Sequence, residues 1–210
     1  MSGDLLVAFI IVLPILLVSL VLHELAHGWA AARMGDGTAR EQGRLSWNPL
    51  RHLDALGTIM LVVSFLGSGG QFLLGWARPV PVSPWRFRDP QRGMMVVGAA
   101  GPAANAGLAL ASVAGVWLTY GPVPLLAQMF ALTFSLNLVL GLLNLLPVPP
   151  LDGSRIVGGL LPRRLWIKWM SLDRYGDVVF LVLIVVLIAV PSVFEATFGA
   201  VLRWAWGMLP

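Results

Sequence analysis

The chain has 210 residues, of which 58% are apolar and only 11% are charged. Soluble domains carry charge on about a quarter of their residues, so this chain cannot cover a globule with a water-soluble surface. The composition therefore excludes soluble enzymes, nucleic-acid binders and disordered chains, and it predicts an all-α polytopic membrane protein.

Basic residues outnumber acidic residues by 14 to 10, which gives a net charge of +4. They occur in short clusters between apolar runs, as in the cytoplasmic loops of membrane proteins, so we assign them to membrane orientation and not to nucleic acid. The chain has no cysteine. Any metal must therefore be bound through nitrogen and oxygen.

Apolar segments predict about five transmembrane or membrane-embedded helices. The first covers residues 5–22 without a charge and is expected to continue to Arg33. The others are residues 57–76, 94–120, 125–146 and 178–190, with a weaker stretch at 193–206. The polar stretches between them are too short to hold cores of their own. We therefore predict a single domain over residues 1–210, with a functional core at 5–155 and C-terminal helices at 176–207.

The segment at residues 57–76 decides the topology. If it crosses the membrane, two basic loops lie on opposite sides, against the positive-inside rule. If it enters and returns, 13 of the 14 basic residues share one face, which we place toward the cytoplasm. Its centre, Gly67-Ser68-Gly69-Gly70, favours a reversal of the chain. The sequence therefore predicts a re-entrant hairpin here.

The sequence His23-Glu24-Leu25-Ala26-His27 lies near the end of the first helix. Residues four apart share a helix face, so His23 and His27 can both offer an imidazole nitrogen to one Zn²⁺ ion, with Glu24 beside it as a base. Ionisable groups inside an apolar helix are costly and functional by default. The spacing therefore predicts a zinc centre below the membrane surface.

A zinc centre of this kind needs a third protein ligand. Asp152 is favoured because prolines end an apolar helix just before it, and irregular backbone at membrane depth is tolerated where it lines a cavity. His27 and Asp152 can meet only if two crossings separate them, which again requires residues 57–76 not to span. Glu41 and Glu195 remain alternative third ligands.

Three motifs together resemble the site-2 proteases, which are intramembrane zinc metalloproteases, and in particular their compact prokaryotic branch without a PDZ domain. The motifs are HExxH at residues 23–27, GPAAN at 101–105 and NxxPxPxLDG at 144–153. Further segments typical of the compact branch lie at residues 43–50 and 75–82. The resemblance covers most of residues 20–155.

The resemblance implies a zinc-dependent endopeptidase that acts in regulated intramembrane proteolysis, cutting peptide bonds in or next to transmembrane segments of substrate proteins. It implies one Zn²⁺ per chain, bound by His23, His27 and Asp152, with Glu24 as the catalytic acid and base. An amide of Asn144 or Asn105 is expected to assist the oxyanion.

The resemblance also implies where the substrate lies. Residues Arg78, Pro79, Val80, Pro81 and Val82 are expected to form a short membrane-associated strand that pairs with an extended substrate. The expected partners are transmembrane proteins and the lipid bilayer, in a prokaryotic plasma membrane with the site opening toward the cytoplasm. The oligomeric state stays open.

Two other functions remain open at this point. The chain could be a non-catalytic membrane protein that binds zinc, although a purely structural site has no need of Glu24. It could also be a membrane zincin of the prenyl-protein-processing type, with Glu41 or Glu195 replacing Asp152.

Overall fold

The structure is a computed structural model that describes residues 3–70 and 73–210, and most of these residues are in helices. The helices are α1 (Gly3–Arg33), α2 (Thr38–Glu41), α3 (Ala55–Gly67), α4 (Pro90–Thr119), α5 (Pro124–Asn144), α6 (Asp152–Leu160), α7 (Arg163–Met170), α8 (Gly176–Ala189), α9 (Pro191–Phe194) and α10 (Ala200–Trp206).

Three of these helices, α1, α4 and α5, are long and apolar enough to cross a membrane. A fourth span is added within the described ranges if the C-terminal helices, which bend by 101° between residues 187 and 192, are counted as one broken crossing. The prediction of a helical membrane protein is confirmed. The predicted total of about five embedded helices is reached only by adding the shorter apolar helix α3 to these four.

Helix α4 lies at the centre and packs against α1, α5 and α6. Its small residues allow this close packing, because a Cβ atom on Gly98 would lie 2.9 Å from the carbonyl oxygen of Asp152 in α6. One turn further along α4, Gly101 faces the two histidines of α1. The central helix therefore brings the N-terminal and C-terminal halves of the site together.

The described residues 55–70 and 73–77 form the two arms of a hairpin, as the sequence predicts. Helix α3 (Ala55–Gly67) is capped by Asp54, whose carboxylate accepts the N–H of Gly57. The chain then turns through Gly69 and Gly70, which both have positive φ. On the return, the N–H of Leu74 donates to Ser64 Oγ at 2.9 Å, and Ala77 forms an antiparallel bridge with Leu53. Both ends of the segment therefore lie side by side.

The predicted strand at residues 78–82 is not observed. Apart from the isolated bridge between Leu53 and Ala77, the residues described here include no β-structure. Pro79 and Pro81 lack an N–H group and so cannot donate to a ladder. The backbone groups of Arg78, Pro79 and Val80 are bonded to other parts of the chain.

Candidate metal centre

Both histidines of the HExxH motif point from one face of α1 into the protein. His23 and His27 are buried, with 7% and 8% of their surface exposed. Their Nε2 atoms lie 3.0 Å apart, and the rings meet edge to face. The helix alone therefore places two imidazole nitrogens at one point, as the four-residue spacing predicts.

Asp152 reaches the same point from the first residue of α6. Its Oδ2 atom lies 3.1 Å from His23 Nε2 and 3.3 Å from His27 Nε2. The turn that brings it there is tight, because Gly153 packs directly on the backbone of Leu145 and Leu146 at the end of α5. One ligand atom from each of the three residues lies within 4.8 Å of the others.

The other ring nitrogens determine which atoms face the centre. His27 Nδ1 lies 2.7 Å from the carbonyl oxygen of Val97, which can only accept, so Nδ1 carries the proton. His23 Nδ1 lies 2.5 Å from Asn105 Oδ1, which likewise accepts. In the neutral imidazole, Nε2 of each ring is then the unprotonated lone-pair donor that faces Asp152, the tautomer that binds a metal.

The orientation of Asn105 follows from a buried hydrogen-bond chain behind it. Asn137 Nδ2 donates to the carbonyl of Thr133 at 2.9 Å and to Ser19 Oγ at 2.9 Å, which leaves Asn137 Oδ1 as an acceptor. Asn105 Nδ2 donates to that oxygen at 2.8 Å, so Asn105 Oδ1 must face His23. Both asparagines are fully buried.

The residues at this point fit a zinc ion. Asp152 Oδ2 is buried and has no hydrogen-bond partner among the residues that the structure describes, and the Nε2 atoms of both histidines face it at 3.1 and 3.3 Å. Three buried electron-pair donors facing one another need positive charge between them, from a metal ion or from protons. Two imidazoles and one carboxylate are a ligand set typical of catalytic zinc. Gly101 makes room, since a Cβ atom there would lie 2.5 Å from His27 Nε2.

Glu24 lies next to the histidines but turns toward the 78–82 segment. Its Oε2 atom accepts the backbone N–H of Val80 at 2.8 Å. One turn further along α1, Gly28 packs closely against Leu45 and Val80. The carboxylate is therefore held at the edge of the centre by a backbone amide, while Oε1 has no hydrogen-bond partner in the described part of the chain.

Asn105, predicted as an oxyanion donor, has a different position. Its oxygen is bonded to His23 and its amide donates to Asn137, so the side chain orients a histidine from behind. Asn144, the other candidate, donates to the carbonyl of Leu140 in its own helix at 3.0 Å. In this structure both amide nitrogens therefore donate to other groups of the chain.

The alternative third ligands lie elsewhere. Glu41 forms an ion pair with Arg86 at 2.6 Å, and Glu195 pairs with Arg203. Both carboxylates are more than half exposed, whereas the two histidines are buried. Asp152 is therefore the carboxylate that the fold brings to the histidines.

Sequence reasoning missed Asp36, which joins the end of α1 to the chain after the 78–82 segment. Its carboxylate is fully buried and accepts the backbone N–H groups of Thr38 and Ser83. Burial alone raises the pKa of this carboxyl, but the hydrogen bonds from Thr38 and Ser83 and the charge of Arg86 outweigh that effect and lower it below its usual value. A buried Asp beside a glycine turn is a weak signal that periodicity does not detect.

This fold and this site define a helical membrane metalloprotease. The model of peptidase family M50 matches residues 122–190, which include Asp152. The chain is 43% identical over 180 residues to the protein named "Putative zinc metalloprotease YwhC" from Bacillus subtilis, covering 81% of this chain and 78% of that protein. The chain therefore belongs to peptidase family M50, the site-2 protease family, and the predicted family and enzyme class, a zinc metalloprotease, are confirmed.

More distant relatives are longer. The chain is 37% identical over 147 residues to "Putative zinc metalloprotease Rip2" from Mycobacterium tuberculosis, covering 69% of this chain and 55% of Rip2. Rip2 from Mycolicibacterium smegmatis is 32% identical over 146 residues, with the same coverage. The chain thus spans about half the length of the Rip2 proteins. No solved structure matches the chain.

Proposed function

We propose that the chain is an intramembrane endopeptidase that hydrolyses peptide bonds in or next to transmembrane segments of other proteins. The observation that carries this proposal is the convergence of Asp152 with His23 and His27 on the inner side of α1, a helix of membrane-spanning length. A protease whose centre lies within such a helix bundle is suited to substrates that are themselves in the membrane.

The proposed ligands are His23, His27 and Asp152, holding one zinc ion per chain. When bound, zinc supplies a Lewis acid that acidifies water and polarises the scissile carbonyl group. Asn105 and Val97 hold the two rings in the required tautomer. The role of the protein is thus to keep three donor atoms oriented before the ion arrives.

Glu24 is the proposed proton carrier. Its free Oε1 atom accepts a proton from the attacking water as the new carbon–oxygen bond forms. Glu24 then delivers that proton to the amine as the carbon–nitrogen bond breaks, which returns the carboxylate to its starting state. One oxygen bonded to Val80 and one oxygen free is a geometry suited to this transfer.

The substrate is proposed to lie extended along the 78–82 segment. A peptide bond in a helix is shielded by its own hydrogen bonds, so the substrate must unwind before attack. The carbonyl of Val80 and the N–H of Val82 have no hydrogen-bond partner among the described residues, and groups two residues apart in an extended chain face the same side. We therefore propose that they pair with the substrate backbone.

The bilayer placement is also a proposal. With residues 55–77 as a re-entrant hairpin, the basic loops share one face, and the positive-inside rule places them in the cytoplasm. The contact between Leu53 and Ala77 supports this topology, because it brings the chain back to its starting point. The prokaryotic plasma membrane is the proposed location.

The experiment that tests the function uses Glu24→Gln. The amide keeps the size of the side chain but cannot carry the proton, so the variant is expected to retain zinc and to lose cleavage of a model transmembrane substrate in proteoliposomes. Removal of a general base lowers rates by about 10²–10⁴-fold. Normal turnover by zinc-loaded Glu24→Gln contradicts the proposal.

Substrate pairing is tested separately with Val82→Pro, which removes one backbone N–H. We expect KM for the membrane substrate to rise while kcat and zinc content stay close to those of the wild type. An unchanged KM rejects pairing at Val82 and leaves the role of Glu24 untouched.

A further inference from the structure

The 78–82 segment presents a single amide donor between two prolines, and that donor is bonded to Glu24. Pro79 and Pro81 have no N–H group, so Val80 supplies the one backbone donor of residues 79–81. This N–H lies 2.8 Å from Glu24 Oε2. Val80 is also buried, with 7% of its surface exposed, and it packs on Gly28 one turn along from Glu24.

The prolines fix the shape of this segment. A residue that precedes proline is restricted to extended backbone conformations, which applies to Arg78 before Pro79 and to Val80 before Pro81. The segment is therefore stiff, and the direction of the Val80 N–H is set by where its ends are attached.

Arg44 attaches the first end of the segment. This buried arginine donates from Nη2 to the carbonyl oxygens of Arg78 at 2.8 Å and Pro79 at 3.3 Å. The N–H of Arg78 is bonded in turn to the carbonyl of His52 at 2.7 Å. Asp36 attaches the other end through the N–H of Ser83 at 2.6 Å.

Burial of the Arg44 charge costs free energy, so the contacts of its guanidinium need an explanation. The guanidinium of Arg44 has no carboxylate within ion-pair distance among the described residues, and its Nε atom is buried without an acceptor there. Both of its hydrogen bonds come from one nitrogen, Nη2, and go to the adjacent carbonyls of Arg78 and Pro79. Arg44 therefore fixes the position of the Val80 amide relative to α1.

We propose that Arg44 is a positioning residue of the protease, which acts through the Val80 amide to orient the Glu24 carboxylate. This inference rests on the proposed role of Glu24 as proton carrier. It adds the contacts that orient the Oε1 atom of Glu24. It links two stretches of sequence, residues 43–50 and 75–82, and gives the first of them a chemical role.

Hydrogen exchange tests the contact directly and needs neither substrate nor turnover. Because the neighbouring prolines carry no amide hydrogen, the exchange of Val80 is resolved from its surroundings in a short peptide. In the zinc-loaded protein we expect Val80 to exchange slowly, and to exchange about tenfold or more faster in Glu24→Ala, since a hydrogen bond to a charged group is lost. Glu24→Gln keeps an acceptor oxygen and should stay closer to the wild type.

The role of Arg44 is tested by Arg44→Ala against Arg40→Ala, an exposed arginine of the preceding helix α2 with no ion pair in the described structure. We expect Val80 exchange to accelerate in Arg44→Ala and to stay unchanged in Arg40→Ala, with zinc content equal in both. We also expect kcat of Arg44→Ala to fall by about 10- to 100-fold with little change in KM, because misplacement of a reacting group by about 1 Å has such an effect.

Two outcomes overturn the inference. One is Val80 exchange that is the same in Glu24→Ala as in the wild type, which removes the contact. The other is Arg44→Ala with unchanged kcat, or with a raised KM alone, which assigns Arg44 to substrate binding. If Arg44→Ala fails to fold, Val80→Pro gives the same test, with a fall in kcat expected. Loss of cleavage in Glu24→Gln is independent of these results, so the two proposals fail separately.

Discussion

Asn105 Oδ1 lies 2.5 Å from Nδ1 of His23, and this contact joins the centre of α4 to the centre of α1. The asparagine cannot rotate its amide, because its nitrogen donates to Asn137 and Asn137 is itself held by the carbonyl of Thr133. A backbone carbonyl in α5 thus determines the tautomer of a histidine in α1. Metal-binding histidines depend on such outer contacts for their orientation.

This chain predicts an effect on zinc binding from residues that do not touch the metal. We expect Asn105→Ala to weaken zinc binding by about 10- to 100-fold, the usual effect of removing an outer contact of a ligand histidine. Asn137→Leu should give a smaller loss in the same direction. The measurement is zinc affinity by competition with a chelator. Asn144→Ala is the control, since the described residues give Asn144 a hydrogen bond only to Leu140 in its own helix, and weaker zinc binding in that variant would contradict the account.

Gly101 is predicted to be essential for the space at the centre. A Cβ atom at this position would lie 2.5 Å from both His23 Cε1 and His27 Nε2, closer than atoms can approach. Gly101→Ala is therefore expected to displace the rings and abolish zinc binding. Gly107→Ala, in the same helix, is the matched control because no atom lies within 4 Å of its Cβ position. Equal zinc content in the two variants would show that the space is not needed.

Asp36 is predicted to make stability depend on pH. Because the pKa of Asp36 is lowered in the folded protein, its contribution is fully present above the ordinary carboxyl pKa and is lost as the pH falls through the folded value. Asp36→Asn should lower stability by about 2 kcal/mol at pH 7, from weakened charged hydrogen bonds. The measurement is thermal unfolding against pH in detergent. The stability difference between Asp36→Asn and the wild type should shrink at acid pH. Asp177→Asn, which changes an exposed aspartate, should show no stability difference from the wild type.

The hairpin is predicted to depend on a close backbone approach at its base. A Cβ atom on Gly57 would collide with the carbonyl group of Trp76. Gly57→Ala is expected to destabilise the protein by about 1–3 kcal/mol, as overpacked sites do. Gly67→Ala, at the open end of the same helix, has no atom within 4 Å and serves as the control. Equal unfolding temperatures would mean that the two arms do not pack as described.

Much of the centre could be predicted because it depends on short-range rules. The spacing of His23 and His27 places both on one helix face whatever the rest of the chain does. Asp152 followed from the prolines that end the apolar helix just before it, and the count of crossings and charges agreed with that choice. The hairpin followed from glycines at its turn and from the same charge count.

The parts that could not be predicted depend on long-range contacts of the backbone. The alternation of proline and valine suggested a strand. The N–H of Val80 is instead bonded to Glu24, and no sequence pattern around residue 80 indicates that contact. The positions of Asn105 and Asn137 depend on the rotation of α4 and α5 about their axes. A single polar residue in an apolar helix signals a function there, but not which side chain it meets.

The zinc content of purified variants tests the central claim most directly. We predict about one zinc per chain in the wild type, Glu41→Ala and Glu195→Ala, and almost none in Asp152→Ala, because three protein ligands are needed to hold a catalytic zinc. Asp152→Ala that keeps one tightly bound zinc, or Glu41→Ala or Glu195→Ala that loses it, would contradict a centre formed by His23, His27 and Asp152.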